Sequence, residues 1–318
     1  MTKDERFKAS VDQIYTYAGS QYTKWRVAAV KSIRKILVNL DEFYADILYE
    51  LESENEQKDI VHCQIRNGWF YEAVSQAEQA IEELFATVMN LKDLSFFTKD
   101  VLFYAAGTVK KYIWNFAADD LEYLAREFGY PHLSFDDPWD NKEAFEGYKN
   151  GVLLTQQFVK ELQVFHKKYY DDYCQYKHGM SVALVPMQAP LMKDDTDRRI
   201  KLMSNPLEGA LQTFHNGTIS DYQKRTGTLP AIMLQVKSGT HGHISELHTE
   251  GNLLFSTTHV VNIEEVVRAA EHACILLDVL WMNIIKRCEE KETDQMRLLA
   301  FPLNSLKRCC VIGFPKEK

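Results

Sequence analysis

The stretch EAVSQAEQAIEELFATVMNL, residues 72–91, decides the fold because its apolar residues recur with gaps that alternate between three and four. This spacing places them on one face of an α-helix, as in a seam that packs against a second helix. The members of this seam are Val74, Ala77, Ile81, Leu84, Val88 and Leu91. The sequence therefore predicts a long helix that buries one apolar face.

A second seam precedes the first in residues 30–51 and shows the same alternation of gaps. Its members are Val30, Ile33, Leu37, Leu40, Tyr44, Ile47 and Leu51. Both seams are too apolar to stay in water, so we expect the two helices to pack on each other or on a shared third helix at a shallow angle. The Asn67-Gly68 pair between them predicts a turn before the second helix.

Further helices are predicted C-terminal to these two. Apolar spacing indicates a third helix over residues 98–116, and a short helix over 119–128 is expected to end at Gly129. Residues 131–141 contain two prolines and an aspartate cluster without helical period, which predicts a loop. A long helix is then predicted over residues 152–177, with aromatic and aliphatic side chains along one face.

The character of the chain changes after Gly179. The segments that follow are short, β-branched or alternating, and bounded by Gly, Pro and Asn, which predicts a small antiparallel sheet. Within this region the Asn216-Gly217 pair is a strong hairpin signal. The terminal segment CCVIGF, residues 309–314, is strand-like and is expected to join the same sheet.

The helical pattern returns at Asn262, which together with Glu265 has the form of an N-cap and capping box. The predicted fold class is therefore mainly α with a small antiparallel β insert, an α+β arrangement. Three segments follow from this prediction: a helical bundle over 1–179, a β insert over 180–261, and a returning bundle helix with a C-terminal strand over 262–318.

Charge and composition exclude several classes of protein. The 318 residues include 37 Lys+Arg and 45 Asp+Glu, a formal net charge of −8, which argues against a basic surface for nonspecific nucleic-acid binding. No apolar run approaches the roughly 20 residues that a membrane-spanning helix needs. The polar opening MTKDERFKASVDQ predicts no secretory leader. Six cysteines without CxxC spacing predict reduced thiols and a cytoplasmic location.

The stretch YYDDYCQYKHGM, residues 169–180, is the main candidate for a functional site. A purely structural explanation is available, because cations in a last helical turn followed by Gly179 are typical of a helix C-terminus. This explanation does not account for the density of polar aromatic residues. Tyrosine and histidine beside lysine at a helix end are suited to stack a base or to hold a phosphate.

The helical layout resembles bacterial members of the HEPN superfamily. The resemblance rests on the long antiparallel helix pair, on the helix EAVSQAEQAIEELF with its small residues and acidic pair, and on the polar Lys177-His178-Gly179 at the end of a later helix. It covers most of the helical part and leaves the strand insert unexplained. Many HEPN proteins are metal-independent ribonucleases or RNA-binding proteins, and they are often dimeric.

The resemblance implies a protein that binds RNA or nucleotides. Metal-independent ribonuclease activity is a further expectation from the same resemblance. It also implies a homodimer and catalysis without a metal, while the sequence itself predicts no cofactor and no association with a membrane. His178 is then the acid/base or phosphate contact and Lys177 the stabiliser of charge. The residues assigned to nucleic-acid binding are Tyr173, Tyr176, Lys167 and Lys168.

The family signature is an arginine separated from the histidine by four to six intervening residues, and the sequence departs from it. The corresponding positions hold Asp171, Asp172 and Tyr173. Arg126 and His132 have the right spacing, but REFGYPH breaks its helix with glycine and proline. The resemblance therefore supports the fold more than catalysis, and we expect RNA binding to be found more readily than cleavage.

Two metal sites are alternatives. The trio His241, His243 and His248 has the residue type for zinc, but its spacing fits surface histidines of a polar hairpin better. Glu78 and Glu82 have the i, i+4 spacing that an all-helical Mg²⁺-dependent nucleotide pyrophosphohydrolase uses. Its complement on another helix would be Asp119 and Glu122, whereas acidic pairs usually mark a solvated face.

Two further alternatives come from other classes of protein. Cys174 and His178 have the composition of a thiolate nucleophile and its base, but the sequence supplies neither a lowered thiol pKa nor an oxyanion pocket. The chain also fits a non-catalytic interaction protein that dimerises through its helical seams. Burial of His178 beneath the strand insert would favour this second alternative.

Overall fold

The structure is a computed structural model. It describes residues 3–20, 24–47, 58–130, 142–178, 182–184, 205–227, 253–289, 296–302 and 309–315. Within these ranges the chain is mainly helical with a small three-stranded antiparallel sheet, which confirms the predicted fold class. No helix in these ranges is long and apolar enough to cross a membrane. The predicted loop over 131–141 and the trio His241, His243 and His248 lie outside them.

The helices follow the apolar spacing of the sequence. In chain order they are α1 (Lys3–Ser20), α2 (Trp25–Val38), α3 (Leu40–Phe43), α4 (Lys58–Asn90), α5 (Phe97–Leu102), α6 (Ala106–Asn115), α7 (Leu121–Glu127), α8 (Lys142–His178), α9 (Ile219–Thr226) and α10 (Ile263–Glu289). Five of the six seam residues of the stretch 72–91 lie in α4, and the sixth, Leu91, directly follows its last residue; all six are buried, which confirms the predicted helix face.

The described strands form two separate sheets. The first has the order β1 (Val182–Ala183), β2 (Glu208–Gly217) and β3 (Leu253–Asn262), with antiparallel neighbours throughout. Its central register places Thr213 opposite Thr257. The second sheet pairs β4 (Met296–Pro302) with β5 (Cys309–Pro315). The prediction that CCVIGF joins the earlier sheet is therefore wrong, because this segment pairs with a strand close to it in sequence.

The residues divide into two compact units. Unit 1 contains Met1–Lys31, Gln76–Lys168 and Val266–Lys318. Unit 2 contains Ser32–Ser75 and Tyr169–Glu265. The three-segment division into 1–179, 180–261 and 262–318 stays a prediction.

The helices of unit 1 are joined by ion pairs at the rim of an apolar core. The Arg26 guanidinium of α2 contacts the Glu83 carboxylate of α4, and its Nη1 donates to Gln79 at 2.9 Å. The Lys24 ammonium lies 2.8 Å from Asp278 of α10. These contacts orient α2 against α4 and α10, while the buried seam supplies most of the stabilisation because apolar burial is the larger effect.

The predicted turn at Asn67-Gly68 is wrong, because α4 continues through both residues. Within unit 2 the Asn67 amide donates to the Leu184 carbonyl at 2.8 Å, so its polar group is satisfied by the sheet region. A Cβ at Gly68 would meet no atom within 4 Å, so packing does not require this glycine. Buried Arg66 and Phe70 flank the pair and hold the helix in place.

Two predicted helices are shorter than their apolar spacing suggests. The helix predicted over residues 30–51 ends at Val38, where the Asn39 amide donates to the Lys35 carbonyl at 3.0 Å, and Ile47 is exposed. The last seam residue, Leu51, lies outside the described residues. The apolar period therefore continues past Val38, the residue at which the helix ends.

The helix predicted over residues 98–116 is the second of these and is divided into α5 and α6. Phe103 and Tyr104 leave the helix between them, and the Tyr104 hydroxyl donates to Glu82 at 3.3 Å. The short helix α7 agrees with its prediction. Its end is followed by Gly129 at φ 72°, a left-handed conformation in which glycine has no Cβ clash.

The hairpin predicted at Asn216-Gly217 is also wrong. Strand β2 continues in register to Gly217, which lies opposite Leu253. The chain then enters α9 through a capping box between Thr218 and Asp221, in which each side chain accepts from the other residue's backbone N–H. This box satisfies helical N–H groups that would otherwise lack a partner. The capping box, and not the Asn-Gly pair, therefore decides the backbone conformation here.

A close approach of helix and strand fixes β2 in unit 2. The buried Arg66 guanidinium donates to the carbonyls of Asn205 and Glu208, at the beginning of β2. One residue further on, a Cβ at Gly209 would lie 2.3 Å from Cδ2 of the Phe70 ring. Because Phe70 is fully buried, the ring has no room to move, and only glycine fits at this position.

Replacement of Leu84 by alanine tests the assignment of the seam. Leu84→Ala should lower the free energy of unfolding by about 2–5 kcal/mol, because this buried side chain would leave a cavity in unit 1. Urea or thermal unfolding measures the change. The matched control is Val164→Ala on α8, where the side chain is exposed, and its effect should stay within about 0.5 kcal/mol. Equal effects of both substitutions would contradict the assignment.

Candidate functional site

Three of the predicted site residues lie together near the C-terminal end of α8 in unit 2. The Lys177 ammonium lies 5.7 Å from the centroid of the Tyr173 ring, a cation–π distance, and Lys177 is exposed. The Tyr173 ring is 2% exposed and meets Tyr170 edge-on at 6.1 Å. Tyr176 is half-buried and stacks on Tyr71 at 5.1 Å. Base stacking by Tyr173 and Tyr176 stays a prediction, and Tyr176 is the more accessible of these two side chains.

The other predicted site residues are placed less closely. His178 is the last residue of α8, and its side chain lies outside the described part of the structure. Lys167 and Lys168 are both exposed on α8 and belong to unit 1, whereas Lys177 belongs to unit 2. The structure therefore groups Lys177 with Tyr173 and Tyr176, and the roles of the remaining three residues stay predictions.

The acidic residues Glu78 and Glu82 are buried in unit 1 and do not form a solvated face. Glu78 Oε2 lies 2.6 Å from Nδ1 of His166, with both side chains 0% exposed, and Glu82 accepts the hydrogen bond of Tyr104. Among the described residues no group of three or more His, Cys, Asp and Glu side chains is arranged to hold a metal ion. A pair with this degree of burial has no surface at which a substrate can bind.

The arrangement best suited to chemistry lies in unit 2, between α8 and strand β3. Oδ2 of Asp172 lies 2.6 Å from Nδ1 of His259. The Asp172 side chain is 1% exposed and the His259 side chain is 38% exposed. A buried carboxylate that orients an accessible imidazole is the arrangement that general acid–base catalysts use.

Side chains of strands β2 and β3 extend this pair into a network. Thr213 donates from Oγ1 to Oδ1 of Asp172 at 3.0 Å, so both carboxylate oxygens have a partner. Nε2 of His215 lies 3.1 Å from Thr213 Oγ1 and 2.8 Å from Thr257 Oγ1, and the two threonine oxygens are 3.0 Å apart. Asp172, Thr213, His215, Thr257 and His259 form the Asp172 network.

Two tyrosines adjoin the Asp172 network. Tyr71 donates to the Gln212 carbonyl at 2.7 Å, and the Tyr169 hydroxyl donates to the Val260 carbonyl at 3.2 Å. Burial raises the pKa of both phenols; the charge of Asp172 raises that of Tyr71 further, and Glu265 and then Asp172 do so for Tyr169. Both hydroxyls consequently stay neutral at physiological pH and hold α4 and α8 to the strands without adding charge to the site.

Sequence reasoning missed the Asp172 network although a signal was present. Strands β2 and β3 each contain the pattern Thr-x-His, at residues 213–215 and 257–259. Alternate residues of a strand share a face, so each pattern places one threonine and one histidine on the same side. The opposition of Thr213 and Thr257 then brings all four side chains together, but this register is known only from the structure.

Comparisons of the chain with protein-family models, with curated proteins and with solved structures found no match. The resemblance to HEPN proteins consequently stays a prediction. The function is therefore argued from the geometry and chemistry of the Asp172 network and from the residues at the end of α8.

The raised pKa of Tyr71 predicts the behaviour of the protein at alkaline pH. The folded state holds the phenolic proton more tightly than the unfolded state, whose pKa is about 10. The resulting stabilisation is fully present below about pH 10 and is lost as the pH rises through the folded pKa. We expect cooperative unfolding in this range, measured by circular dichroism together with the absorbance of ionised tyrosine.

The variant Tyr71→Phe separates the two contributions of this residue. It should lower the free energy of unfolding at neutral pH by about 1 kcal/mol, because the hydrogen bond to Gln212 is lost. It should also make the decrease in stability above about pH 10 less steep, since one titrating group is removed. Tyr15→Phe, at an exposed position, should change neither quantity. An unchanged slope in Tyr71→Phe would refute the linkage.

Proposed function

We propose that unit 2 carries a metal-independent acid–base site that binds RNA and cleaves it, with His259 as the residue that exchanges the proton. One observation supports this function best: Asp172, 1% exposed, holds Nδ1 of His259, 38% exposed, at 2.6 Å. An imidazole that is held through Nδ1 uses Nε2 for proton transfer. His259 is therefore oriented to exchange a proton with a bound molecule.

RNA cleavage requires two proton transfers at one phosphodiester. The 2′-oxygen forms a bond with phosphorus as its proton leaves, and the bond between phosphorus and the 5′-oxygen breaks as that oxygen gains a proton. His259 takes up the first proton and supplies the second, which a histidine does well because its charge changes near neutral pH. His178 keeps its predicted role as a second acid/base group or phosphate contact.

The choice of RNA rests on the HEPN resemblance and on the exposed cation at the end of α8. Lys177 and Asp172 lie five residues apart on one helix, a separation of about 7.5 Å along its axis and about 140° around it. A cation at this position attracts a phosphate group to the C-terminal end of α8. Because the chain as a whole carries a net charge of −8, such attraction has to be local.

The proposal includes three further properties taken from the sequence and from the resemblance. They are a cytoplasmic location, a homodimeric state and catalysis without a bound cofactor. A non-catalytic role is the alternative, in which the Asp172 network only anchors β2 and β3 to α8. The experiment below distinguishes the two functions.

Cleavage of a single-stranded RNA by wild-type protein and by His259→Ala tests the function. The assay contains EDTA and low salt, and a DNA of the same sequence serves as the second substrate. We expect His259→Ala to lose about 10²–10⁴-fold in rate, the usual contribution of a general acid or base. Asp172→Asn should also lose activity, because an amide in place of the carboxylate no longer selects the Nδ1–H tautomer.

The chain provides a matched control in a second histidine–aspartate pair of unit 2. His62 lies 2.7 Å from Asp41, but here the aspartate is 91% exposed. His62→Ala should therefore leave the cleavage rate unchanged, and circular dichroism checks the folding of every variant. Wild-type protein without activity on RNA, or full activity in His259→Ala, would overturn the catalytic proposal and leave the anchoring role.

Binding of RNA is tested separately from cleavage through Lys177. If Lys177 contacts a phosphate, Lys177→Ala should weaken binding to single-stranded RNA and lower the slope of log K against log salt by about 0.7. Fluorescence anisotropy at several salt concentrations measures both. Lys35→Ala, which removes an exposed lysine of α2 in the same unit, is the control and should leave the slope unchanged. An identical slope in Lys177→Ala would exclude Lys177 from the RNA contact.

A further inference from the structure

We propose that His215, Thr257 and Thr213 form a one-way chain of hydrogen bonds that ends on Asp172 and fixes His259 with Nδ1 protonated and Nε2 as the proton acceptor. His215 is then a positioning residue, which acts on His259 through the chain and does not touch the substrate. The inference deepens the proposed acid–base function and rests on it for its biological meaning. Its geometry and its test do not depend on RNA.

The first step is the single hydrogen of the Thr213 hydroxyl. Thr213 Oγ1 has three polar neighbours at hydrogen-bond distance: Asp172 Oδ1 at 3.0 Å, Thr257 Oγ1 at 3.0 Å and His215 Nε2 at 3.1 Å. An ionised carboxylate only accepts hydrogen bonds, so the contact with Asp172 takes the Thr213 hydrogen. The other two neighbours must therefore donate to Thr213 if their contacts are to be hydrogen bonds.

The second step is the hydrogen of Thr257. If Nε2 of His215 were unprotonated, Thr257 would have one hydrogen for two contacts, with His215 at 2.8 Å and with Thr213 at 3.0 Å. The contact between His215 and Thr213 would then contain no hydrogen at all. Buried polar groups at such distances without hydrogens repel each other, and their burial without a hydrogen bond is unfavourable.

A proton on Nε2 of His215 removes this conflict. The Nε2–H group faces both threonine oxygens and donates to them, Thr257 donates to Thr213, and Thr213 donates to Asp172. Each of the four contacts among Asp172, Thr213, Thr257 and His215 then has a hydrogen, with the Nε2–H of His215 shared between the two threonine oxygens, and every donor points along the chain toward the carboxylate. Hydrogen bonds that are aligned in one chain strengthen one another. This effect favours an arrangement in which all donors point the same way over one in which their directions alternate.

The chain determines the state of His259. Thr213 occupies Oδ1 of Asp172, so the second oxygen, Oδ2, is directed at Nδ1 of His259 at 2.6 Å. Because Oδ2 only accepts, Nδ1 carries the hydrogen, and in the neutral imidazole Nε2 is unprotonated. Two histidines of one network thus have opposite tautomers, Nε2–H in His215 and Nδ1–H in His259.

The location of the two histidines matches these different roles. His215 is 6% exposed, so it has little contact with solvent or with a bound molecule. His259 is far more accessible, as a proton-exchanging residue has to be. Burial, and to a lesser degree the Asp172 charge, raises the pKa of the two nearby phenols, Tyr71 and Tyr169. Both phenols therefore stay neutral, and neither forms a charged pair with the carboxylate in place of His259.

Nitrogen-15 NMR of the full chain tests the inference directly. Long-range correlations from the ring carbon-bound protons distinguish protonated from unprotonated ring nitrogens, and spectra near neutral pH give the tautomer of each histidine. We expect a protonated Nε2 in His215 and an unprotonated Nε2 in His259. An unprotonated Nε2 in His215, or an Nε2–H tautomer in His259, would overturn the chain.

Variants of Thr213 test the transmission from the chain to His259. Thr213→Val removes the hydroxyl at nearly constant shape, and we expect the His259 Nδ1–H proton to exchange with water about tenfold faster, the factor that one hydrogen bond of ordinary net strength supplies. Thr213→Ser keeps the hydroxyl and should exchange like the wild type. Thr258→Val, at the exposed position beside Thr257, is the matched control. Equal exchange in Thr213→Val and Thr258→Val would refute the transmission.

The same measurements separate this inference from the proposed function. Opposite tautomers together with an RNA-inactive wild type would uphold the chain and reject ribonuclease activity. RNA cleavage that depends on His259, together with the wrong tautomer in His215, would uphold the function and reject the chain. If both hold, Thr213→Val should also lower the cleavage rate, and Thr213→Ser should restore it.

Discussion

The buried charge of Asp172 is the constraint on which unit 2 depends. A carboxylate that is 1% exposed is strongly unfavourable unless donors replace its hydration, and those donors come from two different strands. Thr213 of β2 and His259 of β3 supply them, and both must lie on the sheet face toward α8. A shift of either strand by one residue would turn its donor to the opposite face and leave the charge without a partner. The carboxylate therefore helps to fix the register of the sheet.

The parts of the fold that local periodicity determines were predictable from the sequence. The seam of residues 72–91 is buried as its spacing indicates, and the N-cap at Asn262 is confirmed because its Oδ1 accepts from the Glu264 N–H at 2.9 Å. Asn67-Gly68 and Asn216-Gly217 show where this reasoning fails. Each pair has the composition of a turn, but contacts with distant residues or a stronger neighbouring cap decide the backbone there.

The candidate site could be predicted only in part, because its decisive contacts join residues far apart in sequence. Asp172 and His259 are separated by 87 positions, and Glu78 and His166 by 88. The sequence directed attention to the end of the same helix, where Lys177 does lie against Tyr173. It identified neither the burial of Glu78 nor the importance of Asp172, since a carboxylate on a helix is usually solvated until a distant partner is known.

The Asp172 network is more polar than a structural contact between a helix and two strands needs to be. Buried ionic and polar groups are often replaced by apolar residues of similar volume at no loss of stability, so anchorage of a strand to a helix does not by itself require an aspartate, two threonines and two histidines. An anchor also has no need for a difference in exposure between its two histidines. The network has this difference, since His215 is buried and His259 is not. A role that uses the exposed imidazole accounts for this asymmetry, which neither anchorage nor the choice of register requires.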